Sequence, residues 1–172
     1  KPFSTDTAQA EEMARAITDA GVKCLVAFEN RWSLPFLQAK ELCAQDGLGP
    51  VLNVYAFLAD TYYVPTQMLP WAGKSTPAWF LFPHIIDMAG WLTGKTVQKV
   101  YATGVKQKLA AAGIDTYDSI QAVLTYTDGT AGVFSCGWVM PDTRPVIADL
   151  KMLLVGGRSS LHIDLSDQML HL

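Results

Sequence analysis

Apolar residues recur along this chain with two periods, near 3.6 in its first half and near 2 in its second. Ala8, Met13, Ala16 and Ile17 share one helical face. They lie between the N-cap candidates Ser4, Thr5 and Asp6 and the stop at Gly21, so the spacing predicts a helix over 7–20. Residues 22–28 read Val-Lys-Cys-Leu-Val-Ala-Phe, a run continuous enough for an interior strand. Pro35 opens a second helix to about residue 45, with Phe36, Ala39, Leu42 and Cys43 inward, and Gly47-Leu48-Gly49-Pro50 closes it. Residues 51–59 form a strand, and 60–78 an irregular segment with three prolines and many large side chains. A third helix starts at Pro83, which suits the first helical position, and stops at Gly94. Its apolar face is Ile85, Ile86, Met88, Ala89 and Leu92.

The second half alternates. Residues 96–104 form a strand, and 105–116 a loop with a short helical turn. Residues 119–126 and 130–138 form a hairpin across Asp128-Gly129, the strongest short hairpin signal. After a turn at 141–145, residues 149–155 and 160–164 make a second hairpin around Gly156-Gly157. His162 alternates with Ile163 as an exposed edge residue, and 168–172 begins one more strand. Consecutive strands after early helices predict an α+β fold: a mostly antiparallel open sheet with helices on one face. The other face is too apolar to stay wet, so it is expected to serve oligomer or domain contacts.

Composition narrows the partners. The 172 residues are 50% apolar and 17% charged, which is globular and not disordered. A net charge of −3 argues against nucleic acid and an anionic membrane, since both want a basic face. No apolar run approaches the roughly 20 residues of a membrane span. Cys24, Cys43 and Cys136 are odd in number and far apart, with no Cys-x-x-Cys. They read as core thiols in a reducing, cytoplasmic protein. No His/Cys cluster has metal spacing, and there is no glycine-rich dinucleotide or phosphate loop. The chain begins at Lys1 and ends in a strand-like pattern, so it reads as a piece of something longer.

Three stretches carry candidate chemistry. His84 and Asp87 stand three apart on one helix, which fits an acid–base device; the commoner use of such a pair is a partly buried histidine satisfied by its neighbour. Glu29-Asn30-Arg31-Trp32 leaves the tip of a buried strand, where ligand groups are often placed; a solvated Arg and a packed Trp fit as well. The aromatics of 60–78 suit a pocket lining or a cover for a partner's sheet.

Taken in order, Lys1-Pro2, Phe28-Glu29-Asn30-Arg31-Trp32, Gly47-Leu48-Gly49-Pro50 and His84-Ile85-Ile86-Asp87 before Trp91-Leu92-x-Gly94 resemble one family. It is the C-terminal domain of the Gfo/Idh/MocA oxidoreductases, the glucose–fructose oxidoreductase and inositol dehydrogenase-like enzymes. The resemblance implies the substrate-side and oligomerisation domain, spanning 1–172, of a two-domain enzyme whose Rossmann domain precedes it. It implies NAD or NADP, held mainly by that other domain, a small sugar, polyol or related cyclic substrate, and a homo-oligomer. By resemblance, Lys1 and His84 are catalytic and Asp87 is the companion of His84; Asn30 and Arg31 face substrate. One position departs: many members carry Asp four residues before the His, and here it is Phe80. That departure feeds an alternative, a catalytically silent binding or oligomerisation module of the same fold.

Overall fold

A computed structural model describes residues 1–165; the strand expected over 168–172 lies outside them. Helix α1 (Thr7–Ala20) starts where Asp6 accepts the Gln9 N–H at 2.8 Å and ends at Gly21, whose φ of 63° is left-handed. None of its residues is buried. Residues 22–28 are not a strand: among the described residues they pair with no neighbour, and Leu25 is 81% exposed. Their composition suits a strand, but a strand exists only by pairing. Cys24 is therefore exposed and not a core thiol. Cys136 is buried, and burial pushes its thiol up to about 12; Cys43 is half-buried. Glu29–Trp32 folds as a 3-10 turn rather than a strand tip.

Helix α2 (Leu34–Ala44) buries Phe36 and Ala39 but leaves Leu42 exposed. Strand β1 runs Val51–Thr61, two residues further than its apolar run suggests. Helix α3 (Pro77–Thr93) begins six residues before the expected start. Thr76 caps it, accepting the Trp79 N–H, and Pro77 rather than Pro83 takes the first position; Pro83 lies inside. Pro77, Leu81, Ile85, Met88 and Leu92 form its buried stripe. Strands β2 (Val97–Val105), β3 (Ser119–Tyr126), β4 (Ala131–Met140), β5 (Ala148–Gly156) and β6 (Ser160–Asp164) follow, with the short α4 (Lys108–Ala111) between β2 and β3.

The strands form one open sheet in the order β2-β3-β4-β1-β5-β6. Only β1 and β4 are parallel; every other pair is antiparallel. The fold is thus α+β, as expected. Because side chains alternate across a pleated strand, Val54, Ala56 and Leu58 of β1, Phe134, Cys136 and Trp138 of β4, and Met152 and Leu154 of β5 join the α3 stripe in one core. Among the described residues the opposite face carries no helix. Across it the register aligns Tyr101, Val123, Val133, Tyr55, Leu153 and His162, one from each strand. Tyr101 in that row is 73% exposed. No helix among the described residues is long and apolar enough to cross a membrane.

Candidate active site

The crossover from β1 to the edge strand β2 lays α3 over the sheet, and the 3-10 turn packs against the same helix. These elements enclose a cavity of about 660 Å³, within the usual 300–1,000 Å³ of a small-molecule site. Leu58 and Asp60 of β1 lie at its base, Phe80, Leu81 and His84 of α3 on one wall, Glu29 and Asn30 on another. Residues 145–148 close the remaining side, tied to β1 where the Thr61 N–H donates to Ile147 O at 2.8 Å.

His84 is mostly buried. Its Nδ1 lies 2.9 Å from a Glu29 carboxylate oxygen and 3.3 Å from Asn30 Nδ2. A carboxylate only accepts, so the Glu29 contact calls for a proton on Nδ1, whereas the Asn30 amide donates and calls for a bare Nδ1; the two contacts favour opposite tautomers. Burial lowers the imidazole to about 4, reinforced by the Lys1 cation and partly opposed by Glu29. At neutral pH the ring is uncharged, so its contact with Glu29 is not an ion pair. Lys1 stands with its ammonium 5.3 Å from the centre of the Phe80 ring. Burial lowers its pKa, while Glu29 and Asp60 work the other way.

Phe80 itself is wedged between Trp71 and Trp138, with ring centroids 5.7 Å away on either side. An apolar side chain thus fills the position where the resemblance expects a carboxylate. The carboxylate near Lys1 comes instead from Asp60, 5% exposed at the base of the cavity. Burial pushes it up to about 6 against the pull of the Trp138 N–H and Lys1.

Asn30 and His84 thus line one cavity, and Lys1 stands near it over the Phe80 ring. Asp87 makes its hydrogen bonds to Arg31 and reaches His84 only through its charge, which raises the imidazole's pKa. Both its oxygens accept from Arg31, Nε at 2.8 Å and Nη2 closer still. It borders a separate apolar groove with Trp79, Phe82 and Ile86. Arg31 also lies over the Phe28 and Trp91 rings, at 5.5 and 5.9 Å. The pair is a clasp that fixes the 3-10 turn, and with it Glu29 and Asn30, against α3. Glu29 and Asp60 are cavity residues that the motif reading passed over. Strand parity points to Asp60: counting by two from Val54 through Ala56 and Leu58 reaches it on the inner face. Among the described residues no group of three or more His, Cys, Asp or Glu could hold a metal ion.

The family model for the GFO/IDH/MocA C-terminal domain matches residues 36–162. The chain is 27% identical over 163 residues to myo-inositol dehydrogenase Hyg17 of Streptomyces leeuwenhoekii, covering 94% of this chain and 48% of that protein. It thus spans about half the length of that relative. Its fold matches myo-inositol 2-dehydrogenase from Lactobacillus plantarum with a TM-score of 0.83 at 18% identity, over 95% of this chain and 48% of that one. A Lactobacillus casei scyllo-inositol dehydrogenase, solved with NAD(H) and scyllo-inositol, superposes with a TM-score of 0.79 at 22% identity, over 95% and 48%. The chain belongs to the GFO/IDH/MocA C-terminal domain family.

Proposed function

We propose that this chain is the substrate-side half of an NAD(P)-dependent oxidoreductase acting on a sugar, polyol or related cyclic alcohol, the dinucleotide being held mainly by a domain preceding Lys1. One observation carries the reading: a mostly buried, uncharged imidazole lines a cavity of substrate size, with Glu29 at its Nδ1 and the Lys1 ammonium close enough to act on it. The inositol dehydrogenase relatives support the substrate class. Helix α1 and the apolar 22–28 run, both uncovered here, suit contact with a second domain.

The nicotinamide, when bound, accepts hydride from the carbinol carbon or returns it. The chain's own residues manage the oxygen. His84 Nε2 takes the hydroxyl proton as the C–O bond gains double-bond character, and the Lys1 ammonium stabilises the negative charge developing on that oxygen. Lys1 has a second effect: its cation helps keep His84 unprotonated, ready to accept, at the expense of basicity. Glu29 offsets that loss and, by accepting from Nδ1, favours the tautomer whose Nε2 is bare. Asn30 adds a donor at the cavity wall. Asp87 and Arg31 act by positioning the turn.

The bare sheet face, with its row from Tyr101 to Leu153, supports a homo-oligomer built through it. Phe80 favours the silent-module reading, but the nearby Asp60 carboxylate weakens it.

Turnover of a panel of inositols and sugars by the two-domain protein, wild type against His84→Ala, tests the reading through absorbance of the reduced cofactor. A loss of roughly 10²–10⁴ in kcat is expected. Unchanged kcat would remove His84 from the chemistry, and cofactor binding without turnover on any substrate would favour the silent module.

A further inference from the structure

Glu29 differs from the other polar residues around the cavity in reaching two environments. Its side chain is 59% exposed, whereas that of His84, whose Nδ1 its Oε1 meets at 2.9 Å, is 13% exposed. It therefore links a mostly buried ring to bulk water. A second contact falls on the same ring nitrogen, from Asn30 Nδ2 at 3.3 Å. The carboxylate can only accept and the amide nitrogen can only donate, so Nδ1 has a partner whether or not it carries a proton. Such a pair of contacts suits a nitrogen that loses its proton during turnover. The ring also needs that loss. The charges acting on it are Glu29 on the turn, Lys1 with its α-amino group, and Asp87 on α3 itself. Burial and Lys1 hold it down to about 4 against the pull of Glu29 and Asp87. A hydroxyl proton arriving at Nε2 would make an imidazolium that this environment disfavours, unless the Nδ1 proton departs.

We propose that Glu29 relays the proton of the reaction: as His84 Nε2 takes the hydroxyl proton, Glu29 Oε1 takes the proton from Nδ1 and passes it to water. The substrate O–H bond breaks as an N–H bond forms at Nε2, and Nδ1–H breaks as an O–H bond forms on Glu29. The ring starts and ends neutral, with its proton on the other nitrogen. The hydride leaves the carbinol carbon for the nicotinamide, and the one proton released enters solvent from Glu29. Asn30 Nδ2 then donates to the bare Nδ1 and holds the new tautomer until product leaves. In the reducing direction each transfer reverses. Glu29 acts through His84 and touches no substrate, so it is a positioning residue for the ring and its protons. The inference rests on the alcohol-oxidising reading above and adds the route by which the proton leaves.

Single-turnover formation of the reduced dinucleotide by the two-domain protein, at saturating levels of the best alcohol from the panel, tests the relay. The proteins compared are wild type, Glu29→Gln, Glu29→Ala and His84→Ala. A glutamine oxygen can still accept from Nδ1 but cannot carry a proton away, so Glu29→Gln separates the relay from simple orientation of the ring. It should slow the step at least about tenfold, and by no more than the roughly 10²–10⁴ expected for His84→Ala, with alcohol affinity little changed. Glu29→Ala should be slowed similarly and should regain rate as acetate is added, whereas wild type and His84→Ala should not respond to acetate. A Glu29→Gln protein running at the wild-type rate would overturn the proposal and leave Glu29 as an orienting partner alone. So would a loss in Glu29→Ala that acetate does not reverse, in protein whose urea unfolding and dinucleotide binding match wild type. A measurement on wild type keeps the proposal exposed even if a variant fails to fold. Rates across mixtures of light and heavy water should follow a curve, as when two protons move in one step; a straight or flat line would overturn the relay. No turnover by wild type on any alcohol would remove the alcohol-oxidising reading and this proposal with it. Turnover lost in His84→Ala but kept in Glu29→Gln would remove the proposal alone.

Discussion

Asp60 and His84 should make opposite contributions to folding stability, and each should hide the other. Asp60 holds its proton in the folded protein to about 6, whereas an unfolded Asp loses it near 3.8. Folding then takes up a proton between those values, and stability falls as pH rises across the window. His84 stays neutral in the folded protein down to about 4, whereas an unfolded His protonates below 6.5. Folding then releases a proton, and stability falls as pH drops across nearly the same window. At about 1.4 kcal/mol per tenfold change in proton affinity, each effect is worth about 3 kcal/mol. In wild type the two should nearly cancel from pH 4 to 6. Urea unfolding of the 172-residue chain, followed by tryptophan fluorescence at pH 4, 5, 6 and 7, reads this directly. Relative to wild type, His84→Gln should lose about 3 kcal/mol as pH rises from 4 to 6. Asp60→Asn should gain about the same over that range. Ordinary surface carboxylates are common to all three proteins and drop out of the comparison. Three parallel profiles would refute the reasoning and return both groups to ordinary ionisation.

Two further outcomes follow from other parts of the fold. Asp118 accepts the backbone N–H groups of Gln107, Lys108 and Leu109 at 2.7–2.8 Å; burial alone would raise its pKa, and these three bonds overcome that and lower it. Asp118→Ala should therefore destabilise the chain by about 3 kcal/mol in urea unfolding, with much of the loss restored by Asn. On the bare sheet face, Val133→Glu places a charge in the middle of the apolar row. Light scattering should then report a smaller assembly with unfolding little changed; an unchanged mass would move the oligomer contact to another surface.

The parts of this fold that are legible in the sequence are those decided by neighbouring residues. Asp128-Gly129 and Gly156-Gly157 place both hairpins, and Asp6 and Gly21 place both ends of α1. Decisions that depend on distant partners are not legible in this way. Residues 22–28 have a strand's composition but no strand beside them. Pro83 is a good first residue for a helix, but the Thr76-Pro77 pair upstream claims that role. Spacing along α3 puts His84 and Asp87 on one side, yet Arg31, 56 residues earlier, draws Asp87 away while Glu29 and Asn30 meet His84. Asp60 looks like the first residue of a loop because a charged residue usually ends a buried strand. Its place on the inner face emerges only when β1 is counted by twos.

The parallel pairing of β1 with β4 has a consequence for how the molecule comes together. Strands β4 and β5 follow one another in the chain, but in the sheet β1 lies between them. The two halves of the sheet therefore cannot join until a segment whose residues lie 78 positions before their β4 partners, as Asn53 does before Ala131, slots into the gap, bringing its crossover with it. Such long-range closure is slow, because the chain is ordered before the contacts reward it. The strand that arrives between the halves also carries Asp60, and the crossover carries His84. The cavity is thus assembled in the same event that completes the sheet, and the amides of β1 should exchange with solvent only when the whole domain opens.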